Sequence, residues 1–249
     1  MTRTITLTIS LFLTTALCLA QAGPDAKPAA SPTLDQVLDR YVEALGGKAA
    51  IEKLTSRTAK GRLEMASMGL KGTIEIYATA GDKTLTVLNL AGIGEIREGY
   101  GARSGWSRDP INGFREKKGV ELALVKRGSV FHRDLKLREL YAKMELKGKE
   151  KAGERDAWLV IATPAEGAPE KMYFDTQNGL MIRSDVEIES PQGKMPFEIY
   201  FEDYRAVDGM KIPFVVRRVH PAMSMTVRLD EVKHNLAIED AKFDRPAAQ

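Results

Sequence analysis

Three histidines, His132, His220 and His234, are the only imidazoles in the chain, and none stands in an H-E-x-x-H or any other close metal-ligand spacing. His220 and His234 lie 14 residues apart, at either end of one strand pattern, and could meet only across a sheet. They read as exposed or hydrogen-bonded histidines. Gly101-Ala102-Arg103-Ser104-Gly105 places its serine one position late for a G-x-S-x-G nucleophile elbow and lacks a strand-turn-helix around it, so it reads as a turn. Gly92-Ile93-Gly94 begins like a dinucleotide fingerprint, but Arg97 occupies the third glycine position and no βαβ unit follows. Asp185, Glu187 and Glu189 share one strand face with Arg183. Such carboxylates could serve as general acid and base or hold calcium, but the pattern reads more simply as a solvated outer face. These residues give no catalytic constellation, no metal site and no cofactor site, and the expectation is a non-enzyme. A hydrolase using Asp185 and Glu187 on a lipid or glycan is the catalytic alternative.

Two other features bear on binding. Of the ten methionines, several alternate onto an apolar strand face, among them Met172, Met223 and Met225. Flexible thioethers suit a surface that must fit variable apolar ligands, and they also serve as plain core filling. The segment from Arg115 to Lys143 holds nine Lys or Arg against four acids beside an amphipathic pattern. It suits either a solvated helix face or contact with an anionic membrane surface or an envelope protein.

The start of the chain is an address. One positive charge at Arg3, an apolar run from Ile5 to Leu19 and the small-residue tripeptide Ala20-Gln21-Ala22 form a secretory signal, residues 1–22, with cleavage between Ala22 and Gly23. The run is shorter than the roughly 20 apolar residues that a membrane-spanning helix requires. Leu17 before Cys18 is not the small residue of a lipobox. Cleavage removes Cys18, the only cysteine, which excludes disulfides and thiol chemistry from the mature protein. The signal carries one of the 37 basic residues and no acid, so 36 remain against 34 acids, a net +2. No global charge argues for nucleic acid. The expected product is a soluble, monomeric periplasmic protein.

The elements that would position a binding site follow from periodicity. Residues 23–32 are rich in Pro and Ala and read as a flexible lead-in to one domain, residues 33–246. Thr33 and Gln36 have capping-box spacing, and Leu34, Val37, Leu38, Tyr41, Val42 and Leu45 lie on one helix face until Gly46-Gly47. A short helix is expected over Lys48 to Leu54. From Arg57 onward the period falls to 2. Leu180, Ile182, Ser184, Val186 and Ile188 alternate with charged residues, as do Phe197, Ile199 and Phe201, and then Met223, Met225, Val227 and Leu229. Turn signals at Asp175 to Gly179, Pro191-Gln192-Gly193 and Asp208-Gly209 link them into hairpins. Pro196 and Pro213 predict an unpaired side or a bulge, favouring an open sheet over a closed barrel. One further helix is expected between Lys118 and Leu140, bent or split at Gly128. The fold class is mainly β with a few helices.

The order of these features resembles the LolA/LolB-like family of periplasmic lipoprotein carriers, over roughly residues 33 to 245. Gly69-Leu70-Lys71-Gly72-Thr73-Ile74-Glu75-Ile76-Tyr77 looks like that family's G-x-G-x-h-x-h strand. Gly101 to Pro110, with Trp106, is similar to its stretch before the lid helix, and the segments from Tyr173 to Leu180 and from Asp203 to Gly209 look like its hairpins. The resemblance implies an unclosed antiparallel β-barrel, with N-terminal and lid helices over its concave face and an acyl chain held between. The family's carriers latch the lid with an arginine just after the G-x-G strand, and the matching position here is Ala78.

The function expected on this basis is a periplasmic carrier or binding protein for a lipid or a lipoprotein acyl chain. Trp106, Phe131, Met172, Phe174, Phe197, Phe201, Met223 and Met225 are its candidate wall or lid residues. The alternative is an envelope sensor or scaffold domain that binds a protein partner.

Overall fold

The computed structural model describes residues 31–190 and 193–246. The signal sequence, almost all of the lead-in and the Pro191-Gln192 half of one predicted turn lie outside those residues.

Helix α1, Leu34–Leu45, starts as its capping box requires. The Thr33 hydroxyl accepts from the Gln36 N–H at 3.2 Å, and the Thr33 N–H donates to Gln36 Oε1 at 2.8 Å. Val37, Leu38, Tyr41 and Leu45 are buried against the sheet. Gly46 ends the helix at φ 125°, and a Cβ there would stand 2.0 Å from the Gly209 carbonyl oxygen. The helix end thus packs backbone to backbone on a hairpin turn, which only glycine permits. Helix α2 is shorter than expected, Lys48–Glu52.

Thirteen antiparallel strands follow among the described residues: β1 Ser56–Met65, β2 Leu70–Thr79, β3 Lys83–Leu90, β4 Gly94–Gly101, β5 Ser104–Asp109, β6 Gly113–Glu116, β7 Lys143–Ala152, β8 Arg155–Thr163, β9 Glu170–Asp175, β10 Met181–Ser190, β11 Gly193–Val207, β12 Met210–His220 and β13 Met223–His234. Their spatial order is β6-β5-β4-β3-β2-β1-β13-β12-β11-β10-β9-β8-β7. Two meanders are joined where β13 pairs back on β1. Edge strands β6 and β7 do not pair with each other, so the barrel is unclosed.

Between the two edges, the expected helix of 118–140 is split. Helix α3 is Gly119–Ser129, a 3-10 turn covers Arg133–Leu135, and α4 is Leu137–Leu140. The break comes two residues after Gly128, where Val130 turns extended.

The prolines act as expected. Pro196 lies beyond the reach of the β11–β12 ladder, which begins at Glu198↔Val219, and the ladder skips Asp203, at φ 52°, beside Pro213. Asp208 and Gly209 both have positive φ, 51° and 85°, as a two-residue I′ turn requires. The alternation expected for residues 180–188 needs correction. A bulge between Met181 and Arg183 puts Met181 on the same face as Ser184 and sends Ile182 to the other face, against Tyr173 and Leu159.

The main core lies between α1, α2 and the inner face of β7 to β13, with Tyr41, Val160, Met172, Phe174 and Met210 among its buried members. The outer face carries the charges. There Arg183 is sandwiched between the rings of Tyr173 and Tyr200 at 5.0 and 5.5 Å and paired with Asp185 and Glu198.

Candidate ligand hollow beneath helix α3

Helix α3 spans the open side of the barrel. It touches β4 and β5 on one limb and β10 on the other. Gly105 makes the first contact possible, because a Cβ there would press 3.0 Å from Leu122 Cδ1. The helix start is tied down by Glu121, which accepts from both Arg115 guanidinium nitrogens at 2.5 and 2.7 Å and from Lys117 Nζ at 3.0 Å. Its far end is held by Arg127, which donates to Glu170 Oε1 at 2.5 Å through Nη2, while the Tyr141 hydroxyl donates to Glu170 Oε2 at 2.7 Å. The Arg127 guanidinium also lies over the Tyr141 ring at 5.3 Å. Burial, with Glu170 adding its charge and Arg133 opposing it, pushes the Tyr141 hydroxyl up to about 12. Beyond the helix, the Phe131 N–H donates to Asp82 Oδ1 at 2.9 Å and His132 Nε2 donates to the Leu54 carbonyl at 2.9 Å.

Beneath α3 is a hollow of about 190 Å³. Its walls are Leu124 from the helix and Met172, Met181, Val186, Ile188, Ile199 and Phe201 from β9 to β11. A second hollow of about 170 Å³, under α1, shares Met181, Phe201 and Arg133 with the first. A third of about 540 Å³ opens at the end of β10 and shares Val186. The first two adjoin on the inner face, whereas the third is lined mainly by the outer-face row of Lys171, Asp185, Glu198 and Val219. A separate cleft of about 550 Å³ lies on the outer face beside Trp106 and Phe243, but Lys83, Glu116, Asp240, Asp244 and Arg245 make its rim charged and wet. The inner pair of hollows is the better place for an apolar ligand.

Not all of the inner wall is apolar. Met172, Ser184, Ile199, Arg218 and Met225 form one cross-strand row over β9 to β13. Arg218 is its single charge. It reaches solvent through the hollow, yet the surrounding walls desolvate it and hold its pKa below the usual arginine value, with Glu98 acting in the other direction. Arg133 lines the same hollow, and its Nε is buried without a hydrogen-bond partner.

The structure distributes the eight candidate residues unevenly. Met172 and Phe201 line the hollow. Phe174 packs edge-on to Tyr41 at 5.1 Å, and Phe131 packs on the same core with Arg57 above its ring at 5.8 Å. Phe197 lines the third hollow, 5.4 Å from the His220 ring. Met225 joins the cluster around Leu63 and Ile74, and Met223 is half-buried where β13 begins. Trp106 is on the outer face, stacked on Gly99 and packed with Leu85 and Phe243. It therefore neither lines the inner hollow nor touches the lid from within, because its position on β5 pairs with Gly99 rather than with the inward-facing Glu98.

Sequence reasoning passed over Leu124, Ile188 and Ile199, and the polar group of Arg127, Glu170, Tyr141, Arg133 and Arg218. One signal was available. Val216 and Arg218 occupy an inward row opposite Phe201 and Ile199, and a charge in such a row is informative.

The three histidines are locally hydrogen-bonded. Arg57 Nε donates to His234 Nε2 at 3.0 Å, so the His234 proton sits on Nδ1 and is donated to Asp208 at 3.1 Å. His220 Nδ1 accepts from the Ala222 N–H at 3.1 Å. No group of three His, Cys, Asp or Glu among the described residues is placed to hold a metal. No helix among them is long and apolar enough to cross a membrane.

No protein-family model matches the sequence, and no curated protein matches it significantly. Solved structures do match. A DUF1329 family protein from Desulfovibrio piger is 14% identical over 88% of this chain and 100% of its own, with a TM-score of 0.59. A LolA superfamily protein from Nitrosomonas europaea is 10% identical over 86% and 99%, at 0.57. An outer membrane lipoprotein-sorting protein domain from Vibrio parahaemolyticus is 11% identical over 84% and 97%, at 0.55. With its unclosed thirteen-stranded antiparallel sheet and its lid helix between the free edges, this chain has a LolA-like fold.

Proposed function

We propose that the protein is a binding protein or carrier, acting in the periplasm, for a lipid or a lipoprotein acyl chain. The observation that carries this reading is the apolar wall of Leu124, Met172, Val186, Ile188, Ile199 and Phe201 under a helix anchored at both ends. Such a wall binds through area removed from water, about 25 cal/mol per Å², and requires no reacting group. The name of the Vibrio parahaemolyticus domain, which refers to lipoprotein sorting, supports the same reading. So does the signal-like start, which would deliver the chain to the envelope.

The basic segment 115–143 has less free charge than its composition suggests. Arg115, Lys117, Arg127 and Arg138 are paired with Glu121, Glu98, Glu170 and Asp35. Its role is therefore to hold the lid and the helix layer in place, and a membrane or protein partner would meet mainly Lys118, Lys126 and Lys136, since Lys143 is paired with Glu145. The test is mass spectrometry of ligand released from protein purified natively from an envelope fraction, together with titration of a fluorescent fatty acid. Recovery of an acyl-bearing molecule and saturable binding are expected. Absence of both would overturn the proposal.

A further inference from the structure

The geometry points to a hollow that selects acyl chains ending in an anionic head group, with Arg218 as the head-group ligand and Arg133 beside it. This inference rests on the acyl-chain reading above and adds the chemistry of the other end of the ligand.

Arg218 stands between Ile199 and Met225 in the cross-strand row, so its lateral neighbours offer nothing stronger than a thioether. Among the described residues it makes no hydrogen bond or ion pair. Other arginines of the interior are committed: Arg127 to Glu170, and Arg57 to His234 and the Met210 thioether. The acid whose field reaches Arg218 is Glu98, and that carboxylate is already bound to Lys117 Nζ at 3.2 Å. The Arg218 guanidinium is open to solvent through the hollow, so its donors are free to meet a ligand anion while Met172, Ile199 and Phe201 offer apolar surface beside it.

The guanidinium fork matches a carboxylate or phosphate with two parallel N–H donors. Arg133 Nε, buried in the wall of the same hollow without an acceptor, supplies a further donor. Met172, Ile199 and Phe201 flank these groups with apolar surface for the chain. Cation and apolar wall together define an anionic amphiphile, rather than a neutral lipid or a bare anion.

The test uses the mature protein freed of lipid and measures displacement of a fluorescent fatty acid by oleate, oleyl alcohol and acetate. Oleate is expected to bind at least about tenfold more tightly than oleyl alcohol, because one charge-assisted contact amounts to a factor of ten or more. Acetate is expected not to compete. Arg218→Gln should bind both C18 ligands equally, near the affinity the wild type has for the alcohol, and Arg218→Lys should restore part of the preference. Near-UV circular dichroism checks that each variant is folded. Equal binding of both C18 ligands by the wild type would overturn the head-group assignment and leave the acyl reading standing, as would an unchanged preference in Arg218→Gln. Competition by acetate as strong as that by oleate would reduce the site to a plain anion site. Binding of no C18 ligand would sink the acyl reading, and this inference with it.

Discussion

Arg127 on the lid helix and Glu170 at the first position of β9 meet at 2.5 Å with side chains only 10% and 6% exposed, and this pair joins the lid to β9, the third strand in from the β7 edge. Each group has a second partner, since Tyr141 donates to Glu170 and lies under Arg127. The latch is therefore a buried network of three side chains.

Breaking one member of such a network leaves the other charge uncompensated. Glu170→Gln is expected to destabilise the protein by about 3–5 kcal/mol and to raise hydrogen exchange selectively in Gly119–Ser129. The double variant Arg127→Met with Glu170→Leu should recover much of that loss, because it removes both charges from the same site. Urea unfolding and amide exchange measure both effects.

Alkaline pH should weaken the same latch. The Tyr141 hydroxyl is raised to about 12 in the folded protein, against about 10 in the unfolded chain. Its contribution is fully present below pH 10 and is lost as pH rises from 10 towards 12, since the unfolded state gives up its proton first. Two units correspond to roughly 2–3 kcal/mol. Tyr141→Phe should flatten the stability curve between pH 10 and 12 by about one proton's share, and unchanged slopes in wild type and variant would count against this network.

Wall and core residues should separate in experiment. Trp106 is 1% exposed and lies on the outer face, so Trp106→Ala is expected to cost about 3–5 kcal/mol while the folded fraction keeps its acyl affinity. Phe201 lines both inner hollows, so Phe201→Ala should weaken acyl binding severalfold even where its stability loss is matched by added osmolyte. Thermal unfolding alongside fatty-acid titration distinguishes the two.

The exposed Arg218 guanidinium should matter to the loaded protein and little to the empty one. Arg218→Leu is expected to change the stability of the ligand-free form by no more than about 0.5 kcal/mol, as for other exposed positions. The same substitution should remove any stabilisation by oleate beyond that given by oleyl alcohol. Differential scanning calorimetry with and without each ligand reads both.

Much of the fold was legible because its signals are local. Thr33 and Gln36 state a helix start in four residues, and Asp208-Gly209 states a turn in two. Period-2 runs from 197 to 201 and from 223 to 229 became strands whose inward residues are the expected ones. The bulge at Met181 to Arg183 was not legible, since it depends on how β9 pairs with its neighbour, and it moved Ile182 to the outer face. Trp106 shows the same limit. Its large apolar ring marks burial, but only the register with Gly99, and the return of Phe243 from the end of the chain, decide on which face it is buried.

The sequence by itself determined the class of this protein: a signal-like start, one capped amphipathic helix, a long series of one-faced antiparallel strands, and no constellation suited to catalysis. Those properties depend on residue type and on spacings of two to four, which the chain carries wherever it folds. Tertiary structure alone decided the site. Arg127 and Glu170 are 43 residues apart, and Arg218 meets Ile199 and Met225 only through strand pairing. Partnership of such groups is set by register and by the path of the lid across the open edge, so the latch and the unmatched guanidinium emerge only when the sheet is assembled.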